Sequence, residues 1–347
     1  MLTPDVSPAG PPALTGPPSS ETLKQRWPLC LREALVLVSR LLDLGDLATM
    51  GNLKRGIALT WAKALNADKL PGEQYTGPRG DPGLFGPKSV MWYVHDDPSG
   101  VVGGVMGLIL GSLHEPTMHG TNKHSVYKDD PLGRLGRTVS FVNTMCWAST
   151  PVAEKMAQTV RRMHKHVHGT MPDGRPYDAS SSEHLTWTGV TQAHGIIQAH
   201  LRYHPHPVSK AEVDRYYAEY AVITEMLGAS DVPKTAADVD AYFEEMRPQL
   251  TYSEETADVV RFFTGPIGKT PVARAGSKLL NKAAFDLLPP FAKRLYRLPD
   301  NLIDQAITRQ SLRVLLQMLR DAVGDSPIKT QALERATARP EVLSQTG

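Results

Sequence analysis

Arg134, Thr138 and His164 are the side chains of this 347-residue chain best spaced for chemistry. In DPLGRLGRT, Arg134 and Thr138 are four residues apart, so on a helix both stand on one face beside Phe141, Val142 and Met145. His164 follows in RRMHKHVHG. At about 100° per residue, Ala153, Met156, Val160 and Val167 form one apolar stripe. His164 falls inside it, His168 at its margin and His166 outside, with Arg161, Arg162 and Lys165 on the wet side. An inward, neutral imidazole ligates iron, zinc or copper, or else hydrogen-bonds a carbonyl. A partly buried Arg134 needs an anion. A protein carboxylate such as Asp129 or Asp130 would serve, as would a bound carboxylate such as a haem propionate, which suits the planar guanidinium fork. Helical arithmetic leaves these choices open.

Eleven of the twelve histidines lie between His114 and His206, but the others make weaker sites. HEPTMH, at 114–119, invites comparison with the zinc motif HExxH, yet His114 and His119 are five apart across a proline and cannot share one helix face. His204 and His206 sit in the proline-bound turn YHPHPVS and read as exposed. The apolar run at 101–113 carries Gly103, Gly104, Gly107 and Gly111. Glycine costs a helix about 1 kcal/mol relative to alanine, so something approaches closely there, either another helix or a flat cofactor. In the second case Gly107 and Gly111 are cofactor-binding candidates. No ExxH pair of the di-iron type, glycine-rich phosphate loop or nucleophile elbow is present.

The elements that must position these residues read as helices. Apolar residues recur at helical spacing over 101–113, 132–147, 151–167, 182–203 and 210–227, separated by turn chemistry such as DDPSG, KDDPLG and MPDGRP. Ser209 with Glu212 predicts a capping box, and Thr235 with Asp238 a looser one. Helical periods also mark 21–67 and 256–323, and no strand alternation is evident, so the predicted class is all-α. Residues 1–20, with six prolines, read as a disordered leader; 21–88 as N-terminal helices and a Gly/Pro-rich loop; 251–325 as helices packing on the central domain; and 326–347 as a flexible tail. A net charge of +2 offers no excess for nucleic acid. Cys30 and Cys146 match no metal-pair spacing, and the longest apolar run, thirteen residues, is short of the roughly 20 that span a bilayer. With no signal segment legible, a cytoplasmic location is expected, while peripheral membrane association and a homo-oligomer stay open.

Several motifs occur in a telling order. SVMWYVHDDP precedes the glycine-rich helix ending in LHEP; HSVYKDDPLGRLGRT, RRMHKHVHGTMPDGRPYDA, a helix with Trp187, PVSKAEVDRYYAEY and MLGAS with VPKT follow. Over about 89–250 this order resembles the bacterial oxygenase family that shares a catalytic domain with latex clearing protein, a rubber oxygenase, and with the fungal mycophenolic-acid pathway oxygenase. The resemblance implies a haem b protein with a globin-like helical core and flanking helices, its haem-binding catalytic domain at 89–250. By motif, His164 would be the proximal iron ligand, with His168 the runner-up, and Arg134 and Thr138 match the RxxxT pair lining the haem pocket. The rubber-cleaving branch carries a lysine just before that threonine that caps the iron. Here the position is Arg137, and a guanidinium, always protonated, is a poor ligand. The implied distal side is open or holds water. Glu115 fits the spacing of that branch's glutamate poorly, and WTG at 187–189 lacks the histidine many members carry two residues after the tryptophan.

The resulting expectation is a haem-dependent oxygenase or oxidoreductase that uses dioxygen on an apolar small molecule other than rubber. The alternatives are a haem-binding or haem-sensing helical protein without turnover, and a zinc or copper protein using His164, His166 and His168.

Overall fold

The computed structural model describes residues 73–124 and 131–339, apart from 266, 269 and 325. The leader and the first helices expected before residue 73 lie outside these. Among the described residues the chain is all-α, with fourteen helices and one small hairpin. The first six helices are α1 (Glu73–Thr76), α2 (Val90–His95), α3 (Ser99–Gly111), α4 (Glu115–His124), α5 (Pro131–Trp147) and α6 (Thr150–His164). The hairpin pairs β1 (His168–Thr170) with β2 (Pro176–Asp178). After it come α7 (Ser182–Tyr203), α8 (Lys210–Met226), α9 (Ala236–Met246), α10 (Glu254–Thr264), α11 (Pro271–Leu287), α12 (Pro290–Leu295), α13 (Leu302–Val323) and α14 (Pro327–Thr337). No helix among the described residues is long and apolar enough to cross a membrane.

The centre is α3, whose Val102, Met106, Ile109 and Leu110 are fully buried. Along it runs α7, in the most extensive helix contact among the described residues. Gly103 and Gly195 make that crossing. A Cβ on Gly103 would lie 2.4 Å from the Gly195 carbonyl oxygen, and one on Gly195 only 2.2 Å from the Gly103 oxygen. The two backbones therefore touch, and the apolar side chains on either side of the glycines interlock. Helix α8 packs on α7, α11 on α3, and α13 on α11. The main apolar core runs from Trp92, Met106 and Trp187 to Phe263, Phe285 and Leu316, so among the described residues the helices after 250 share it with those before.

Local chemistry starts the helices as read. Ser209 and Glu212, and Thr235 and Asp238, form reciprocal capping boxes. A third, Ser253 with Thr256, escaped the sequence reading because it lacks the usual carboxylate at its fourth position.

Two expectations are corrected. Residues 326–339 do not behave as a tail: α14 is docked by Arg335, 2% exposed, which donates Nε–H to the Asp81 carbonyl and Nη1–H to those of Tyr75 and Trp147. One buried guanidinium does what an apolar stripe does elsewhere, and hydropathy does not register it. The helix expected to reach 167 stops at His164, and a hairpin follows. Gly174 (φ 88°) and the Asp173 carboxylate, which accepts from the Arg175 N–H, reverse the chain there, and three-residue strands are too short to show alternation.

Candidate active site

Helices α5 and α6 are neighbours joined through Ala148 and Ser149. The Asp81 carboxylate fixes the joint by accepting from both the backbone N–H and the hydroxyl of Thr150 at 3.0 Å, and Pro151 opens α6 with a dihedral already set for a helix. Ala153 and Ala157 form the buried line of α6, and His164, seven residues beyond Ala157, continues it.

His164 is partly buried. Its Nδ1 is shielded from solvent and has no hydrogen-bond partner among the described residues. Burial holds the imidazole below the ordinary histidine range, and the nearby Arg134 cation pushes it the same way. The folded chain thus brings together a neutral histidine and a guanidinium that are thirty residues apart in sequence.

Thr138 stands one turn from Arg134 and donates its hydroxyl proton to the Arg134 carbonyl at 3.2 Å. Its oxygen keeps lone pairs with which to accept a further hydrogen bond. Arg137, one residue before Thr138, is exposed. His168 is exposed on β1, opposite Asp178, and His166 is exposed in the preceding turn. Among the described residues no three His, Cys, Asp or Glu side chains are grouped to hold a metal.

Gly107 and Gly111 are corrected as cofactor positions. A Cβ on Gly107 would lie 2.8 Å from the Thr191 carbonyl oxygen, and one on Gly111 3.3 Å from the Thr191 hydroxyl, so α7 fills the flat face. Sequence showed that something approached, and the something is a helix. Gly189 is equally closed, for a Cβ would lie 2.3 Å from Thr224 Oγ1 of α8.

Several of the remaining histidines have side-chain partners, whereas neither ring nitrogen of His200 has one among the described residues. His114 is buried, with Nδ1 2.7 Å from the Thr117 hydroxyl and Nε2 3.5 Å from Glu183, whereas His119 meets Glu255 at 3.0 Å. Pro116 lies in the first turn of α4 and opens that helix instead of interrupting one. The Glu115 carboxylate is paired with Arg175. His204, read as exposed, is partly buried and stacks at 4.3 Å on the fully buried His200. Burial pushes His95, His114, His194 and His200 down to about 4.

The family described as ER-bound oxygenase mpaB/B'/Rubber oxygenase, catalytic domain, matches residues 91–320. That span runs through most of α13, well past the motifs that end near residue 250. No curated protein and no solved structure matches the chain.

Proposed function

The chain belongs to the mpaB/rubber oxygenase catalytic-domain family, and from that premise we propose that it is a haem b-dependent oxygenase acting with dioxygen on an apolar small molecule. One observation carries the reading: a neutral His164 with a shielded, unpartnered Nδ1 among the described residues, set beside Arg134. A shielded ring nitrogen that meets no partner among the described residues, with a cation at hand, is a donor set that fits an axial ligand and an anion-binding group.

In this reading His164 holds the iron through its neutral imidazole, and His168, on an exposed strand, is the weaker claimant. Arg134 binds a propionate carboxylate, and the Thr138 oxygen accepts from a polar group in the pocket. The exposed Arg137 takes no part in ligation. Met145, fully buried, and Phe141, packed on the core, extend an apolar wall along α5 that suits an apolar substrate. When bound, the haem supplies dioxygen activation, while the protein supplies ligation, orientation and a water-poor wall.

The deciding measurement is the absorption spectrum of the recombinant protein with an iron count. A Soret band and about one iron per chain are expected; His164→Ala should lose both while keeping its helical circular dichroism. A wild-type protein that takes up no haemin, or a His164→Ala variant that binds it equally well, overturns the proposal. Dioxygen consumption with a reductant and candidate substrates then separates an oxygenase from a haem binder without turnover.

A further inference from the structure

Tyr177 of β2 is 2% exposed, and its ring fills a slot made by two glycines on different elements. A Cβ on Gly120 of α4 would lie 2.9 Å from the ring Cδ2, and one on Gly169 of β1 would lie 2.6 Å from the phenol oxygen. That oxygen is 2.9 Å from Nε2 of His124, the last residue of α4, and the ring stands edge-on to His119 at 5.3 Å. Arg175, in the hairpin turn, pairs with Glu115 at the other end of α4. Helix α4 and the hairpin are thus joined along the whole length of the helix, with Tyr177 in the middle. Independently of Tyr177, His119 and Glu255 tie α4 to α10.

The position of this unit in the chain gives it a consequence. Strand β1 begins four residues after His164, and the Val167 N–H donates to the His164 carbonyl at 2.9 Å. On the other side, α4 ends seven residues before Pro131 opens α5, which carries Arg134 and Thr138. The clamp therefore joins the hairpin that follows His164 to α4, the last described element before the Arg134 helix. We infer that Tyr177 is a positioning residue: through its hydroxyl bond to His124 it holds the His164 end of α6 in register with α4, the helix that precedes the Arg134 helix in the chain. Its effect on cofactor retention rests on the haem reading above, whereas its effect on α5 does not.

Tyr177→Phe keeps the ring in its slot and removes only the hydroxyl. His124→Ala removes the same bond from the other side, and His124→Gln retains a side-chain donor. Each variant is loaded with haemin, and three quantities are followed: haemin loss to excess apomyoglobin, hydrogen exchange in the first turns of α5, and the melting temperature. Tyr177→Phe and His124→Ala should lose haemin about tenfold faster, the scale on which supporting partners of a metal ligand act. Exchange in α5 should rise while α3 and α7 stay protected and the melting temperature moves little, and His124→Gln should recover wild-type behaviour. Unchanged α5 exchange, or loosening spread evenly over α3 and α7 with a parallel fall in melting temperature, overturns the inference. Should the wild type take up no haemin, the haem reading fails, and α5 exchange still decides the clamp.

Discussion

His164 can serve as a ligand only while its ring is neutral, and burial together with Arg134 keeps it so. The same physics, applied to histidines with no site role, makes the protein acid-sensitive. Burial is the first cause that pushes His95, His114, His194 and His200 from 6.5 to about 4. As pH falls below 6.5, the unfolded chain takes up protons that the folded sites refuse until about pH 4. Stability from this source is therefore undiminished above pH 6.5 and declines between there and pH 4, by up to about 1.4 kcal/mol per pH unit for each histidine. His200 offers the cleanest test, because neither ring nitrogen has a partner among the described residues. His200→Leu should flatten the fall of melting temperature between pH 7.5 and 5, and an unaltered slope would count against burial as its origin. At this scale the sequence was legible in part. The stripe of α6 put His164 inside and His166 outside, whereas the end of α6 at His164 and the exposed strand that carries His168 needed the tertiary structure.

The glycines of α3 differ in their surroundings although they look alike in sequence. Gly103 touches backbone on α7, whereas a Cβ on Gly104 meets nothing within 4 Å. Gly103→Ala should cost about 3 kcal/mol or prevent folding, since neither backbone can yield. Gly104→Ala, one residue on, should stabilise by about 0.5–1 kcal/mol through helix propensity alone. Urea denaturation of the two variants checks the contrast, and equal effects would mean that α3 and α7 do not cross at Gly103. Close approach was legible in the glycine run, but the identity of the approaching element was not. A hydropathy pattern reports that a face is covered and is silent on what covers it. The capping boxes of α8 and α9 were legible for the opposite reason, because a cap is completed within four residues.

For the molecule as a whole, Arg335 links α14 to the start of the described chain and to the end of α5 through the carbonyls of Tyr75, Asp81 and Trp147. Arg335→Ala leaves those buried acceptors without their donor and should destabilise by about 3 kcal/mol. Arg335→Lys should recover little, because one ammonium lacks the fork that spans three carbonyls. Hydrogen exchange should localise the damage to α14 and the segment around Asp81, and loss confined to α14 alone would deny the link. By itself, the sequence determined the all-α class, most helix spans from 99 to 226, the capping boxes at Ser209 and Thr235, the inward face of His164 and the family's order of motifs. Each is set by periodicity, by contacts within one or two turns, or by motif order along the chain. Only the tertiary structure decided that α7 fills the glycine face, that the Thr138 proton goes to its own helix, that Arg335 docks the last helix, and that Tyr177 spans α4 and the hairpin. These pairings join residues whose separation in the chain carries no period, and whose partners exist only once the core has brought them into contact.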